Sequence, residues 1–298
     1  EYYVAVASGG VWKTENSGIT YNPIFDSQGS YSIGCIVLDP NNSNVVWVGS
    51  GENNSQRSVS YGDGVYKSKD GGKTWKNVTP PEITSWSKVS LMDASHTDVN
   101  TAYAAVNRIR CDDMHPHIYK TRDGGKTWKQ ILYNNNKTGV ADLVMDPSNP
   151  NKLIAAMWEH KRDPWFFKSG GTGSGVYITH DGGENWKQIT EKDGFPKGDL
   201  GRIGVAIAPS NPDVIYALVE AKKNALYKSE DGGFKWKKIN DKPGIGNRPF
   251  YYSEIYVDPQ NENRLYTVFT YINVSQDGGK SFEQLMPAYG VDNGVHPD

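Results

Sequence analysis

The sequence has few cysteines and almost no net charge. Two cysteines, Cys35 and Cys111, occur among 298 residues, and their separation lacks the close spacing of structural zinc ligands. They are either two free or buried thiols or one disulfide, which an oxidising compartment would favour. A formal net charge of −2, from 32 basic and 34 acidic residues, argues against a general role at nucleic acids or membrane surfaces.

Membrane, export and catalytic motifs are also missing. No apolar stretch approaches the ~18 residues needed to cross a bilayer. No signal peptide is present, but the chain starts within a strand pattern at residues 1–6, so we expect a processed or trimmed N-terminus. No nucleotide-binding loop, nucleophile elbow or zinc motif occurs. We therefore predict no cofactor, no metal and no direct insertion into a membrane.

A short motif repeats along the whole chain instead. Its clearest copy, Ser-Lys-Asp-Gly-Gly-Lys-Thr-Trp, starts at Ser68, and a degenerate copy is centred on Asn16. From Asn16 through the successive aspartates the spacings are 54, 53, 58, 50 and 46 residues. Asp-Gly favours a tight turn because glycine accepts positive φ, and the carboxylate can bond turn amides. We therefore interpret five aspartates as structural rather than catalytic: Asp70, Asp123, Asp181, Asp231 and Asp277.

A second repeat, strand then Asp-Pro turn then strand, lies between these motifs, as at Ile36–Gly49. Together the two repeats give four strands per ~50 residues, which is typical of a propeller blade. The sequence thus predicts an all-β propeller of four-stranded antiparallel blades with six repeats. Residues 1–298 form one propeller domain or part of a larger propeller. The predicted blades are a partial one at 1–25 and complete ones at 33–79, 87–133, 140–190, 202–240 and 252–286.

On these motifs the chain resembles the Asp-box, or bacterial neuraminidase repeat, β-propellers. Within that group it is most similar to large secreted bacterial proteins labelled glycosyl hydrolase or sortilin N-terminal-like. The closer similarity is carried by residues 7–13, 141–147, 169–177 and 290–298. The resemblance implies a secreted, periplasmic or cell-surface bacterial protein that includes further parts of a longer chain. It is specific for fold and poor for function, because sialidases, xyloglucan-cleaving hydrolases, sortilin-like receptors and photosystem assembly factors all share it.

Strand order predicts that the Asp-Gly and Asp-Pro turns share one side of the blades, and that long irregular loops share the other. Binding residues concentrate on such loops. These loops carry arginines, carboxylates, histidines and aromatic residues, a mixture that suits a peptide or a carbohydrate. Contacts that only tie the loops together are the alternative. The candidate ligand-binding residues are Glu52, Asn53, Arg57, Asp112, Asp113, His115, Trp158, His160, Arg162, Trp165, Arg248, Tyr251 and His296.

We expect a binding scaffold for a protein, peptide or glycan, without nucleic acid as a partner. One alternative is a purely structural or assembly module. The other is a glycoside hydrolase of the xyloglucanase or sialidase type, which needs two carboxyl groups across the scissile bond. Five loop carboxylates could supply them, but no spacing selects a pair: Glu52, Asp112, Asp113, Glu159 and Asp163. Enzymatic activity therefore stays open, with a non-catalytic role favoured.

Overall fold

The structure, a computed structural model, covers most of the chain. It describes residues 1–56, 59–83, 86–108, 113–246 and 248–286, with backbone only at 114–117 and 286. The chain folds as two compact units, residues 1–140 and 141–298. Over the described residues, no helix is long and apolar enough to cross a membrane. The assignment of residues 1–298 to one propeller domain stays a prediction.

The described part of the first unit contains three antiparallel sheets, one of three strands and two of four. In each sheet, strands that are neighbours in sequence are hydrogen-bonded neighbours in space. The strands of these sheets are β1 (Tyr2–Val6), β2 (Gly10–Thr14) and β3 (Asn22–Pro23); β4 (Ile33–Asp39), β5 (Asn42–Ser50), β6 (Val65–Ser68) and β7 (Lys76–Asn77); and β8 (Lys88–Ala94), β9 (Ala102–Arg108), β10 (Asp113–Thr121) and β11 (Lys129–Leu132).

The second unit also contains three antiparallel sheets over its described residues, and the first strand of the first of these begins at Thr138. One sheet gains an extra short strand, β14, which pairs with β13. The strands are β12 (Thr138–Asp146), β13 (Asn149–Arg162), β14 (Phe167–Ser169), β15 (Gly175–Thr179) and β16 (Lys187–Gln188); β17 (Ile203–Ile207), β18 (Ile215–Val219), β19 (Ala225–Ser229) and β20 (Lys237–Asn240); and β21 (Glu254–Asp258), β22 (Asn261–Val268), β23 (Ile272–Ser275) and β24 (Glu283–Met286).

The second strands carry apolar residues that become buried between neighbouring sheets. Strand β18, Ile-Tyr-Ala-Leu-Val, is buried along its whole length because sheets cover both of its faces. Within the second unit, one core cluster joins the sheets that start at β12 and β17, and another joins those that start at β17 and β21. The first unit is built in the same way. The predicted all-β propeller of four-stranded antiparallel blades is confirmed.

The Asp-Gly turns share one hydrogen-bond pattern. At the second copy, the Ser68 hydroxyl donates to Asp70 Oδ1 at 2.8 Å and accepts the backbone N–H of Gly72 at 2.8 Å. Asp70 also accepts the N–H of Thr74 at 2.9 Å and its hydroxyl at 2.5 Å. These bonds to the ionised form lower the pKa of Asp70 to about 2. The contacts of the Ser or Thr hydroxyl, and the backbone N–H bond from the residue four positions later, recur around Asp123, Asp181, Asp231 and Asp277. Each of these carboxyls has a lowered pKa.

Each of these turns lies beside the turn between the first two strands of its own sheet. The backbone N–H of Gly71 donates to Asn44 O at 2.9 Å, and that of Gly232 donates to Asp213 O at 2.9 Å. Equivalent bonds occur in the other sheets that carry the full motif. The long connections between second and third strands, and between sheets, therefore lie at the opposite end of each sheet. We call that opposite end the loop end.

Candidate functional site

In the first unit, the loop-end candidates bind mainly to their own loops. Glu52 accepts the Asn54 amide at 2.5 Å and the backbone N–H of Ser60 at 3.0 Å, and Asn53 is partly buried beside it. Asp113 forms a 2.6 Å ion pair with Arg108. Arg57 and Asp112, like the side chain of His115, lie outside the described residues. Sequence reasoning missed an exposed stacked pair, Tyr61 and Trp86, whose ring centroids are 5.0 Å apart.

In the second unit, β13 and β14 form a hairpin that projects aromatic side chains from the loop end. A four-residue turn closes it, with the N–H of Asp163 donating to Phe166 O at 2.7 Å and the N–H of Phe166 donating to Asp163 O at 3.4 Å. Trp165 at this tip is 85% exposed, which is unusual for so large an apolar side chain. We call Trp165, Phe166 and Phe167 the aromatic tip.

Arg162 and Phe167 are cross-strand partners at the base of this tip. The guanidinium carbon of Arg162 lies 5.0 Å from the Phe167 ring centroid and 5.2 Å from that of Phe250. Arg162 therefore lies against two aromatic rings, within the range of cation–π attraction. Its Nε is buried and has no hydrogen-bond partner among the described residues.

Trp158 and His160 are buried at the base of the aromatic tip, so they support it and are not available to contact a ligand. Their exposed fractions are 3% and 4%, and their rings stack with centroids 3.7 Å apart. Phe250, from the connection before β21, packs against both rings. Long-range aromatic packing of this kind fixes the hairpin on the body of the unit.

A second group, of ionisable residues, lies on or beside the first strands of the three sheets of this unit. It consists of Asp142 on β12, Arg202 just before β17, and Glu254 and Tyr256 on β21. Arg202 is buried and donates through Nη1 to Pro249 O at 2.9 Å and Tyr251 O at 2.8 Å. Its Nη2 lies 3.6 Å from Glu254 Oε1, and the Tyr256 hydroxyl donates to Glu254 Oε2 at 2.5 Å. We call these four residues the strand cluster.

Asp142 is a carboxyl group of the strand cluster with a strongly raised pKa. Its Oδ2 accepts the backbone N–H of Val205 on β17 at 2.8 Å, and its Oδ1 accepts that of Leu143 at 2.9 Å. Burial raises the pKa of Asp142 to about 7, and the nearby Glu254 adds to this, against the opposing effects of the Val205 bond and Arg202. A carboxyl group with such a pKa can hold a proton near neutral pH and donate it.

A hydrogen-bond chain links this cluster to the hairpin. The indole N–H of Trp158 donates to Ser169 Oγ at 2.9 Å, and the Ser169 hydroxyl donates to Glu220 Oε2 at 2.5 Å. The same Glu220 oxygen accepts the backbone N–H of Arg202 at 2.8 Å. The base of the aromatic tip and the strand cluster are thereby held in one polar network.

The remaining candidates of the second unit occupy local contacts. Glu159 accepts the N–H of Gly173 at 3.1 Å and lies 3.8 Å from Lys168 Nζ, and Asp163 lies 3.4 Å from Lys161 Nζ. The guanidinium carbon of Arg248 lies 4.1 Å from the Tyr251 ring centroid. His296 lies outside the described residues.

Sequence reasoning missed the strand cluster and Glu220. One signal was available for Asp142, because it is an acidic residue inside an otherwise apolar first strand, Val-Ala-Asp-Leu-Val-Met. A charge at such a place needs a partner or an altered pKa. The aspartates of the Asp-Gly turns, by contrast, accept bonds within their own turns.

Neither thiol nor metal chemistry can be built from the described residues. Cys35 is a free thiol that donates to Val89 O at 3.7 Å, and burial raises its pKa to about 12, so it is not a reactive thiolate. Cys111 lies outside the described residues, so its pairing is untested. No group of three or more His, Cys, Asp or Glu side chains in the described part of the chain could hold a metal ion.

Comparison with known proteins supports the fold and gives a direction for function. Residues 63–194 match the family model described as "Sortilin, neurotensin receptor 3". A relative named probable oligoxyloglucan-reducing end-specific xyloglucanase, from Neosartorya fischeri, is 24% identical over 244 residues, which are 70% of this chain and 28% of the relative. This chain thus spans little more than a quarter of that relative.

Solved structures show the same architecture at low sequence identity. An ancestral GH74 enzyme superposes with a TM-score of 0.61 at 20% identity, over 88% of this chain and 32% of that one. YCF48 bound to D1 peptide superposes with a TM-score of 0.59 at 16% identity, over 95% of this chain and 78% of that one. At these identities the likeness establishes the propeller fold alone.

Proposed function

We propose that this protein binds a polysaccharide at the loop end of its second unit, as an extracellular or cell-surface Asp-box propeller. The observation that carries the proposal is the aromatic tip, where Trp165 is 85% exposed and Phe167 63% exposed. Exposed aromatic faces favour sugar rings, whose C–H faces are apolar, while neighbouring charged groups bond the hydroxyls. The buried Trp158–His160 stack holds the tip in place, which reduces the entropy lost on binding.

The names of the relatives also favour a carbohydrate. The relative from Neosartorya fischeri is named for a xyloglucan-cleaving activity, and the superposed ancestral enzyme belongs to GH74. Peptide recognition is the competing hypothesis, in keeping with the D1 peptide of the YCF48 complex. A test must therefore present both kinds of ligand.

The test is an array of plant and bacterial polysaccharides and of peptides, followed by calorimetry on the ligands that bind. We expect polysaccharide binding, and we expect Trp165→Ala to weaken it about tenfold or more, ~1.4 kcal/mol. Phe234→Ala is the matched control, because Phe234 is a 48% exposed aromatic of the same unit in an Asp-Gly turn. Peptide binding alone, or equal loss of affinity in both variants, would contradict the proposal.

A glycoside hydrolase is the second candidate, and Asp142 is the specific observation that favours it. Its pKa of about 7 suits a general acid that protonates the glycosidic oxygen, and Glu254 of the same cluster is the candidate for the second carboxylate. If this hypothesis holds, Asp142→Asn and Glu254→Gln each abolish turnover of xyloglucan oligosaccharides while polysaccharide binding remains. Turnover unchanged in both variants would rule out this assignment.

A further inference from the structure

Arg162 is a cation without an acceptor for its side chain among the described residues. Its side chain forms no hydrogen bond or ion pair with any described residue, and its Nε is shielded from solvent. Its described contacts are the rings of Phe167 and Phe250, at 5.0 and 5.2 Å. A guanidinium carries five N–H donors in a planar fork, and leaving a buried donor unpaired costs free energy.

The acidic groups nearest in sequence are engaged elsewhere. Asp163 lies 3.4 Å from Lys161 Nζ, and Glu159 accepts a backbone N–H and faces Lys168. Arg202, the arginine of the strand cluster, is held by two backbone carbonyls and Glu254. Arg162 therefore differs from its neighbours in having its hydrogen-bonding edge unused among the described residues.

The surroundings select the kind of acceptor that would fit. The rings of Phe167 and Phe250 lie beside the guanidinium, and a lower local dielectric on that side strengthens a charge-assisted bond to an anion. The guanidinium fork matches a carboxylate through two parallel N–H···O bonds. The aromatic tip adjoins it directly in the chain, so a sugar on the tip and a carboxylate at Arg162 could belong to one residue or to neighbouring residues of a polymer.

We infer that Arg162 is the carboxylate receptor for a uronic-acid-bearing polysaccharide bound at the aromatic tip. This inference rests on the proposed polysaccharide binding and specifies its substrate class. The guanidinium binds the uronate carboxylate, and the aromatic tip binds the sugar faces. A strictly neutral glycan offers Arg162 only hydroxyl and ether oxygens, without the charge-assisted bidentate bond.

The test compares a polymer with itself after its carboxyl groups have been reduced to alcohols. Polygalacturonate and glucuronoxylan, each native and carboxyl-reduced, are titrated against the full chain. We expect the native polymer to bind about 10- to 100-fold more tightly than the reduced polymer, as for a charge-assisted bidentate bond. Arg162→Met should bring the affinity for the native polymer down to that for the reduced polymer, and leave the latter unchanged.

Two further variants separate recognition from general charge or packing. Arg264→Met removes a positive charge at Asp258, away from the tip, and should change neither affinity by more than about twofold. Arg162→Lys keeps the charge without the planar fork and should lose most of the preference for the native polymer. Circular dichroism and the unfolding midpoint show that each variant is folded.

Several results would overturn the inference. Equal binding of native and reduced polymers, or tighter binding of the reduced polymer, would leave polysaccharide binding intact and remove the carboxylate receptor. Parallel loss of both affinities in Arg162→Met would assign Arg162 a packing role. Wild-type preference in Arg162→Lys would exclude recognition by the guanidinium fork. Absence of binding to both forms of both polymers would overturn the inference too, and glycan binding elsewhere on the array would still support the proposed function.

Discussion

Asp142 on β12 accepts the backbone N–H of Val205 on β17 at 2.8 Å, so one carboxyl group joins the first strands of two successive sheets. Because burial raises its pKa to about 7, the folded protein keeps a proton that the unfolded chain, with an Asp pKa near 3.8, has already lost. Between these pH values the unfolded state binds fewer protons. The contribution of Asp142 to stability therefore falls as pH rises from about 4 to 7.

Replacing Asp142 by asparagine should remove that pH dependence. The amide oxygen can still accept the Val205 N–H, but the side chain no longer titrates. We expect the urea midpoint of Asp142→Asn to increase relative to that of wild type as pH rises from 5 to 8. Asp163→Asn, at the hairpin tip, controls for the loss of one carboxylate. If the difference in urea midpoint between Asp142→Asn and wild type stayed constant across this pH range, the raised pKa of Asp142 would be contradicted.

The buried hydroxyl of Ser68 should contribute more to stability than its exposed surroundings suggest. Ser68→Ala leaves the buried N–H of Gly72 without its acceptor and removes one bond to Asp70. We expect a loss of about 1–3 kcal/mol in the free energy of unfolding. Ser43→Ala, at an exposed position of the same sheet, should change it by less than about 0.5 kcal/mol. Equal effects in chemical denaturation would exclude a stabilising role for this turn.

The aspartates of the Asp-Gly turns should make the protein sensitive to acid. Hydrogen bonds from Thr127 lower the pKa of Asp123 to about 2, below the ordinary value of 3.8. The unfolded state therefore binds more protons between these values, and this contribution is present above pH ~4 and lost as pH falls towards 2.

Asn16 shows which substitution can test that sensitivity to acid. Its Oδ1 accepts the Thr20 N–H at 3.0 Å and its Nδ2 donates to the Thr20 hydroxyl at 2.9 Å, so asparagine fits this turn without a titrating group. Asp123→Asn should therefore lose less stability than wild type when urea midpoints at pH 6 and pH 2.5 are compared. The reverse substitution, Asn16→Asp, should lose more. Identical acid losses in all three proteins would show that these carboxyls do not govern acid unfolding.

The fold could be predicted from the sequence because its main signals are local. The contacts of Asp70 reach only from Ser68 to Thr74, so the turn is encoded within one short segment. The strand cluster could not be predicted in this way. The bond between Asp142 and Val205 spans 63 positions, and the rings around Arg162 come from Phe167 and from the distant Phe250. Such contacts depend on which sheets become neighbours, which no single segment specifies.

Burial was the other property that the sequence did not reveal. Trp158 and Trp165 stand in the same loop-end segment, yet the first is 3% exposed and the second 85% exposed. The difference arises because β13 continues as far as Arg162 and carries Trp158 into the unit, where Phe250 covers it. The turn at Asp163–Phe166 leaves Trp165 outside. An aromatic residue in a loop can thus belong to the core or to the binding surface.

The first copy of the repeat contains a residue with backbone strain, and a substitution can relieve that strain. Ser17 has a φ of 60°, where the five later copies place glycines with φ between 70° and 78°. A residue with a Cβ is disfavoured in this left-handed region, by roughly 1–2 kcal/mol, and glycine is not. Replacing Ser17 by glycine removes this penalty. Part of the resulting gain in stability is offset because glycine makes the unfolded chain more flexible.

Ser17→Gly should therefore raise the free energy of unfolding by about 0.5–1 kcal/mol. Ser17 is exposed, so the change removes no packing, and the bond from Gly18 N to the Thr14 hydroxyl is retained. Ser27→Gly, at another exposed serine that has no positive φ, should instead be neutral or destabilising. Urea denaturation of both variants measures the difference. A destabilised Ser17→Gly would mean that the first turn gains more from the serine side chain than it loses to backbone strain.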